Sequence, residues 1–396
     1  MKIVIAHFNS AYVRMPGGVE KVTCGLANAL HRRGHEVTIL FRDSKLGHAY
    51  FPLDEGIPEH NILYDDDGKY VIQDKLPRPI RLKREFFRLF SAKKAHEINA
   101  VAKGRSYGPS IRKWLDRIHP DVIIATSMPS AKYVIEDAAA EEPVITMIHS
   151  QPSVQFADIS PAEQRAVSHG AGIQILLPSG VDITRKYFPN LPVHVIGNAV
   201  DIPDWQADLG KKKERYHLVC VGTINPNKNQ KLAIEAFASL VDRFPNWDME
   251  CWGKTDERYA RPIREYIKKH SLQGRIFFRG LTKNINDEVY KRADIICVPS
   301  KQEGFSLALV EGMAVGLPAV GLKTCVAVNE LIKEGKTGYL VDASPDAMAD
   351  ALARLMSDRA LRARMGQAGR EAVQIYAADR IWDKWERLLE ETAGKV

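Results

Sequence analysis

Short apolar runs rich in valine and isoleucine, separated by longer amphipathic segments, constrain the fold of this chain more than any other feature of its sequence. Such runs are typical of strands buried on both faces of a parallel sheet, and their alternation with helices indicates βαβ units in an α/β fold. We predict strands at Lys2–Ala6, Glu36–Phe41, Asp121–Ala125, Val144–Ile148, Gly172–Leu177, Val193–Ile196, His217–Val221, Trp247–Trp252, Ile276–Phe278, Ile295–Val298, Ala319–Val320 and Tyr339–Val341.

The chain divides into two domains. A single hydrophobic core holds about 250–300 residues, and this chain has 396. The strand pattern stops near residue 198 and resumes at residue 217, so we predict a first domain over 1–200, a linker over 201–215 and a second domain over 216–377. Residues 378–396 form an amphipathic helix that needs a surface to pack on. A helix is also predicted over Lys228–Val241.

Composition indicates the compartment. The five cysteines are scattered, odd in number and form no CxxC pair, which argues against disulfides and zinc and for a reducing environment. No apolar run reaches the roughly 18 residues of a membrane span, and the first residues resemble a strand rather than a signal peptide. We therefore expect a cytoplasmic protein, either free or peripheral on the inner membrane face.

A basic segment carries the net charge of +7. Between Lys75 and Arg117, thirteen lysine and arginine residues stand against three acidic ones, which favours an anionic partner. A helix over 81–94 would either lie on an anionic membrane or pack normally with its aromatic side chains inside the first domain. Nucleic acid is not expected, because no nucleic-acid-binding module is present. Membrane or acceptor contact is assigned to Arg81, Lys83, Arg84, Phe86, Phe87 and Arg88.

Several other classes of site do not fit. An α/β hydrolase would need a GxSxG elbow and a dehydrogenase a GxGxxG after the first strand, and the chain has neither. The run Asp65-Asp66-Asp67 precedes a glycine and is typical of a solvated turn rather than a metal site. We expect no metal and no cofactor.

The segment Ile295–Ala314 predicts an anion site. A strand ends at Pro299, a glycine-containing loop follows, and a helix begins near residue 306. The first amides of a helix lack intrahelical partners and carry the positive end of its dipole, so they bind anions. Glu303 and Glu311 bracket this site and could each bind a diol of a sugar. From spacing alone, Glu303 could equally cap the helix and Glu311 could be solvated.

The sequence EGFSLALVEGMAVGLP, which begins at Glu303, resembles the E-x7-E signature of the retaining glycosyltransferases of family 4. Further matches follow the order of that family along nearly the whole chain: Gly17–Glu20, Asn198–Asp201, Val221–Asn229, Asn329–Ile332 and Lys336–Leu340. The resemblance implies the GT-B fold, in which two Rossmann-like domains face each other across a cleft and a C-terminal helix crosses back to the first domain.

The resemblance also implies roles for the matching residues. In the second domain, Glu311 would hold the ribose, Glu303 would contact the transferred sugar near its 3-hydroxyl, and Lys228 would neutralise the leaving diphosphate. The diphosphate would bind to the amides of Phe305, Ser306 and Leu307, next to Gly304. In the first domain, Gly17 and Gly18 would let the backbone approach donor phosphate or acceptor, and His149, just past a strand, would contact the donor sugar. A single histidine at a strand end could also be structural.

Some positions depart from the family pattern. Thr223 replaces the usual arginine, so either diphosphate binding would rest on Lys228 alone, or another cation such as Lys254 or Arg279 would take the place of the arginine. Gly312 replaces an alanine and weakens its helix. The loop 323–328 lacks the usual glycines, which alters the shape of the nearby sugar pocket.

The resemblance implies a retaining hexosyltransferase that moves a sugar from a nucleotide-diphosphate donor, a UDP-sugar in our prediction, to a glycan or lipid-linked acceptor. No metal is expected to take part. Two alternatives remain open: a nucleotide-sugar epimerase of the same fold, which needs no acceptor, and a catalytically silent membrane-binding scaffold.

Overall fold

The computed structural model describes residues 1–8 and 11–394. It consists of two compact units. The N-terminal unit contains Met1–Asn198 and the residues from Ile381 onward, and the C-terminal unit contains Ala199–Arg380. Residues 201–215, which we predict as a linker, therefore belong to the C-terminal unit.

The described part of the N-terminal unit contains a parallel sheet of seven strands, in the order β3-β2-β1-β4-β5-β6-β7. These strands are β1 Lys2–His7, β2 Glu36–Phe41, β3 Glu59–Asn61, β4 Val122–Ala125, β5 Val144–Met147, β6 Gly172–Ile175 and β7 Val193–Val195. The interior strand β1 is buried on both faces because Ile3, Val4 and Ile5 are all inaccessible to solvent, as expected for a parallel sheet covered by helices.

Helices connect these strands and cover the sheet. They are α1 Gly18–Arg32, α2 Arg78–Arg88, α3 Ala92–Ile118, α4 Met128–Lys132, α5 Pro152–Ala157, α6 Pro161–Ser168 and α7 Val181–Tyr187. The basic segment 81–94 is therefore not one helix: α2 ends at Arg88, and α3 begins after Ser91, whose Oγ accepts the backbone N–H of Lys94 at 3.3 Å. A serine that caps a helix in this way marks its N-terminus.

The described part of the C-terminal unit contains a six-stranded parallel sheet in the order β10-β9-β8-β11-β12-β13. Its strands are β8 Tyr216–Val221, β9 Trp247–Trp252, β10 Ile276–Gly280, β11 Ile295–Val298, β12 Ala319–Leu322 and β13 Gly338–Val341. Its helices are α8 Gln230–Ala238, α9 Glu257–Lys269, α10 Leu307–Ala314, α11 Val326–Leu331, α12 Pro345–Ser357 and α13 Arg359–Ala372. Both sheets follow the doubly wound Rossmann order, so the predicted α/β fold class is confirmed.

Two further local features differ from the sequence-based expectation. The short strand β3 was not expected, because its residues are polar and form no apolar run. The helix predicted over Lys228–Val241 is shorter, running from Gln230 to Ala238. It starts late because Asn229 has a left-handed backbone with φ 54°, a conformation that ends regular helix geometry.

The last helix, α14 Ala378–Thr392, packs against the N-terminal unit from Ile381 onward. Arg33 donates to Glu386 Oε2 at 2.6 Å and to Asp383 Oδ1 at 2.7 Å, and His35 Nε2 lies 2.9 Å from Glu386 Oε1. The apolar side of the helix is buried at Ile381 and Trp385. An amphipathic helix of this kind is stable because its apolar side is covered.

Candidate functional site

Two loops of the C-terminal unit meet at the carboxyl edge of its sheet. Strands β8 and β11 are neighbours although they are not consecutive, so the connections leave this point in opposite directions and a crevice forms there. Lys228 lies in the loop after β8, and Glu303 lies in the loop after β11. Lys228 Nζ donates to Glu303 Oε1 at 2.6 Å. The Glu303 side chain is only 9% exposed, so its charge needs this cation as a partner.

Hydrogen bonds hold the two loops in register. Asn227 Nδ2 donates to the carbonyl of Gln302 at 2.9 Å, and the amide of Lys301 donates to the carbonyl of Asn227 at 2.8 Å. Asn225 Oδ1 accepts the amide of Lys228 at 2.9 Å. The ammonium–carboxylate pair is thus positioned by backbone contacts on both sides of it.

The helix α10 begins beside this pair. Ser306 has a left-handed backbone with φ 65°, and the helix starts at Leu307, as the sequence predicts. Phe305 is 2% exposed and packs edge-on against Tyr376, with ring centroids 4.9 Å apart. This aromatic contact fixes the turn that contains Gly304. The turn leads into the first amides of α10, which have no intrahelical hydrogen-bond partners.

Glu311 lies about one turn inside α10 and is half-buried. Its Oε2 accepts a hydrogen bond from the hydroxyl of Tyr290 at 2.9 Å. Burial, reinforced by the nearby Glu311 carboxylate, raises the pKa of Tyr290 well above its ordinary value, so the phenol remains a donor. The carboxylate is therefore oriented from beneath by a buried tyrosine that sequence analysis did not single out.

Close contacts explain two glycines near the crevice, Gly253 and Gly312. Gly253 has φ 142°, and a Cβ added to it would lie 2.2 Å from the carbonyl oxygen of Gly222. The ends of β8 and β9 therefore approach too closely for a side chain at Gly253. A Cβ on Gly312 would lie 2.6 Å from Cδ1 of Ile296. The glycine at 312, which the sequence suggests only as a weak helix residue, lets α10 pack tightly on β11.

Neither cation considered as a substitute for the arginine missing at Thr223 is placed like Lys228. Arg279 donates to the buried carboxylate of Glu250 at 2.8 Å and is committed to that ion pair. Lys254 is exposed at the end of β9. Lys228 is the cation that the structure places on Glu303.

A second polar cluster lies at the carboxyl edge of the N-terminal sheet. His7, the last residue of β1, has its Nδ1 3.0 Å from Thr126 Oγ1 and its Nε2 3.5 Å from Glu20 Oε1. A Cβ on Gly17 would lie 1.8 Å from Glu20 Oε2, whereas one on Gly18 would meet nothing within 4 Å. A side chain at Gly17 would therefore displace the Glu20 carboxylate, whereas Gly18 lies in open space.

His149 follows β5, two residues past its end, and is half-buried. Its Nε2 is buried and has no hydrogen-bond partner among residues 1–8 and 11–394. Burial, with a smaller effect of His7, lowers the pKa of His149 to about 4. The imidazole is therefore neutral at physiological pH and has one nitrogen available to a ligand.

We expect the His149 imidazole to stay neutral as the pH falls from its ordinary pKa of 6.5 to about 4. The unfolded chain binds a proton in that range and the folded chain does not, so this group destabilises the fold as the pH falls, by at most about 3 kcal/mol. Thermal unfolding of the parent should therefore show a steeper loss of stability on acidification than His149→Gln. Parallel pH profiles, or an NMR titration of His149 near its ordinary pKa, would contradict this assignment.

The remaining predicted positions lie elsewhere. Arg81, Lys83, Arg84, Phe86, Phe87 and Arg88 are all on α2, which packs on α3. In the acidic run, Asp66 pairs with Arg117 at 3.0 Å and Lys113 at 3.4 Å. In the described part of the chain, no group of three or more His, Cys, Asp or Glu side chains is arranged to hold a metal ion. No helix there is long and apolar enough to cross a membrane.

Two family models match the chain one after the other. The model of Glycosyltransferase Family 4 matches residues 16–203, and the model of Glycosyl transferases group 1 matches residues 201–372, which include the crevice with Lys228, Glu303 and Glu311. The chain belongs to glycosyltransferase family 4. Its two Rossmann-like units have the GT-B fold.

Known proteins resemble this family 4 glycosyltransferase over different lengths. The D-inositol 3-phosphate glycosyltransferase of Corynebacterium glutamicum is 28% identical over 64% of this chain and 58% of its own length. The phosphatidyl-myo-inositol mannosyltransferase of Mycobacterium leprae is 24% identical over 96% of this chain and 94% of its own length. The structure of Anabaena HepE in complex with UDP and glucose has a TM-score of 0.71 and 18% sequence identity. The match covers 98% of this chain and 99% of HepE. This chain spans 18% to 64% of the length of several other curated relatives.

Sequence reasoning missed several residues of these clusters in the glycosyltransferase. Tyr290 and Tyr376 stand in segments without a recognisable motif, and they reach the crevice only through the fold. His7 ends strand β1, and Glu20 lies in the first turn of α1, just after Gly17 and Gly18. His7 could have been identified from the sequence, because it lies at the carboxyl end of a predicted parallel strand, where ligands bind in such sheets.

Proposed function

We propose that this glycosyltransferase is a retaining hexosyltransferase that moves a sugar from a UDP-sugar to a glycan or lipid-linked acceptor. The observation that carries the proposal is the Lys228–Glu303 pair, 2.6 Å apart, next to the N-terminus of α10. A cation, helix amides and carboxylates at one sheet edge suit a ligand with a diphosphate between two sugars.

Each group would bind a different part of the donor. The amides of Phe305, Ser306 and Leu307, with Gly304 ahead of them, would hold the diphosphate. Glu311, oriented by Tyr290, would accept the ribose hydroxyls, and Glu303 would accept the hydroxyls of the transferred sugar. Lys228 would stabilise the negative charge that grows on the diphosphate as the glycosidic bond breaks. With these groups, transfer would need no metal ion.

The N-terminal unit would bind the acceptor, and Gly17, Gly18 and His149 would contribute to ligand binding in that unit. In the proposed reaction the bond from the sugar C1 to UDP breaks, and the acceptor oxygen bonds to C1 on the same face. The acceptor proton passes to the leaving phosphate. Glu303 is held by Lys228, so its role would be to position the sugar rather than to attack it.

UDP as the nucleotide is supported by HepE, which was solved with UDP and glucose. A lipid-linked acceptor is supported by the mycobacterial relative, whose name describes phosphatidyl-myo-inositol as its acceptor. Such an acceptor would require the enzyme to work at a membrane surface. We therefore propose peripheral association with an anionic membrane on its cytoplasmic face.

We expect UDP and its sugar conjugates to raise the thermal stability of the protein, and GDP and ADP not to. A ligand at 100 times its dissociation constant stabilises the folded state by about 2.7 kcal/mol, which is readily measured as a shift of the unfolding midpoint. The panel is run without divalent ions and then with them. An equal shift in both conditions supports metal-free binding.

Two outcomes would contradict the proposal. A shift with GDP or ADP alone would mean that the donor is not a UDP-sugar. No shift with any nucleotide would mean that Thr223 in place of arginine has abolished donor binding, and the chain would then be a silent scaffold. Once a donor is found, the anomeric coupling constant of the product by NMR tests retention.

A further inference from the structure

The helix α2 presents an uncovered apolar stripe. Leu82, Phe86, Leu89 and Phe90 are 70%, 60%, 79% and 75% exposed. Helical rotation of about 100° per residue places these four side chains within one arc of roughly 100°, because the helical turn continues through Phe90, whose amide donates to the Phe87 carbonyl at 3.0 Å. We call these four residues the outward stripe. Contiguous apolar surface of this kind marks an interaction site.

The opposite side of α2 holds it on the protein. Ile80, Arg84 and Phe87 are half-buried on the side where α2 packs on α3. The ammonium of Lys94 lies over the Phe87 ring, 4.6 Å from its centroid, and Arg84 Nε donates to Glu85 at 2.9 Å. Phe87 and Arg84, which the sequence groups with the membrane contacts, therefore face inward. Leu82 takes the place of Phe87 in the exposed apolar surface.

Cations border the outward stripe on both sides. By the same rotation, Lys83 lies along one border and Arg78, Arg81 and Arg88 lie along the other. All four side chains are exposed. The helix contains five lysine and arginine residues and a single carboxylate, Glu85. An apolar stripe between two cationic borders is the pattern of a helix that lies in the plane of an anionic bilayer.

We propose that α2 docks on an anionic lipid bilayer, with the outward stripe inserted below the headgroups and the bordering cations on the lipid phosphates. Long arginine and lysine side chains can keep their apolar stems beside the stripe while their charges reach the headgroups. This assignment rests on the proposed function only for its biological purpose, which is to hold the enzyme next to a lipid-linked acceptor.

A second copy of the chain fits this surface less well than lipid. In a two-fold contact between two copies, the apolar stripes could pack against each other. The same contact would bring the cationic borders of both copies together, and these like charges would repel. An anionic surface neutralises these charges instead. Charge complementarity therefore favours the bilayer as the partner.

Depth of insertion tests the orientation of α2. In vesicles of equimolar phosphatidylglycerol and brominated phosphatidylcholine, tryptophan introduced by Phe86→Trp or Leu89→Trp should be quenched at least about twofold more than tryptophan introduced by Phe87→Trp. Each variant is measured against the fluorescence of the parent. Equal quenching at the three positions would overturn the proposed face, even if the protein binds vesicles.

Charge dependence is tested with two matched triple variants. Arg81→Gln, Lys83→Gln and Arg88→Gln remove three cations of α2, and Arg258→Gln, Arg261→Gln and Lys268→Gln remove three exposed cations of α9, which has no exposed large apolar side chain. The first triple should lower the affinity for anionic vesicles by at least about tenfold, and the second should leave it close to that of the parent. Equal losses would indicate nonspecific attraction and overturn the proposal.

The apolar contribution is tested with Phe86→Ser and Leu89→Ser in one chain. This variant should also lose about tenfold or more in vesicle affinity. Parent protein that dimerises through the stripe without lipid, or that binds phosphatidylcholine alone as well as anionic vesicles, would overturn the proposal. These measurements need no nucleotide, and the nucleotide shifts need no vesicles, so either proposal can fail while the other stands.

Discussion

Replacing Lys228 with methionine should lower the turnover number of sugar transfer by at least about tenfold, because a fixed group that stabilises developing charge contributes about 2.7–4 kcal/mol to the transition state. The ammonium lies 2.6 Å from Glu303 Oε1. Charge on the diphosphate is larger in the transition state than in the bound donor. The turnover number should therefore fall more than the affinity for the donor.

Two further variants separate this effect from damage to the loop. Lys231→Met removes an exposed cation three residues away, which pairs with Glu235 at 3.6 Å, and should keep the parental turnover. The double variant Lys228→Met with Glu303→Gln leaves no uncompensated carboxylate, so its fold should match that of the parent while turnover stays low. A Lys228→Met enzyme within about twofold of the parental turnover would refute the assigned role.

Replacing Glu311 with alanine should weaken UDP binding by about ten- to a hundredfold. A hydrogen bond to a charged group contributes about 1.5–3 kcal/mol, and each 1.4 kcal/mol is a factor of ten in affinity. The proposed partners of Glu311 are the two ribose hydroxyls, which are present in UDP itself. Isothermal titration calorimetry with UDP measures the loss without any need for the acceptor.

Tyr290→Phe provides an intermediate case. It keeps the carboxylate and removes the phenol that donates to Glu311 Oε2 at 2.9 Å, so the affinity for UDP should fall less than in Glu311→Ala. Glu235→Ala, at a half-buried position of α8, serves as a carboxylate control and should bind UDP like the parent. Unchanged UDP affinity in Glu311→Ala would show that the ribose lies elsewhere.

The fold was accessible from the sequence because parallel strands are recognisable by their composition alone. Runs such as Glu36–Phe41, Trp247–Trp252 and Ile295–Val298 match strands of the structure residue for residue. The edge strand Glu59–Asn61 was missed because half-buried polar residues leave no apolar signal. The boundary at Gln230 was missed because it depends on the backbone conformation of Asn229 and not on periodicity.

The orientation of α2 shows the limit of pattern reading for the basic segment. A run of cations and aromatics indicates an amphipathic helix, but the two adjacent phenylalanines point about 100° apart around its axis. Contact with α3 decides that Phe87 is half-buried and Phe86 is exposed. The sequence alone could not distinguish between them, because it does not show which side of the helix meets its neighbour.

By itself, the sequence determined the α/β class, the two domains, and the loop and helix that contain Glu303 and Glu311. These features depend on short-range patterns of apolar, glycine and charged residues. Only the tertiary structure decided which loops meet: Lys228 and Glu303 are 75 residues apart, and Tyr290 and Glu311 are 21 apart. Those contacts follow from the placement of β8 beside β11, which is set by packing of the whole sheet and is not encoded in any local segment.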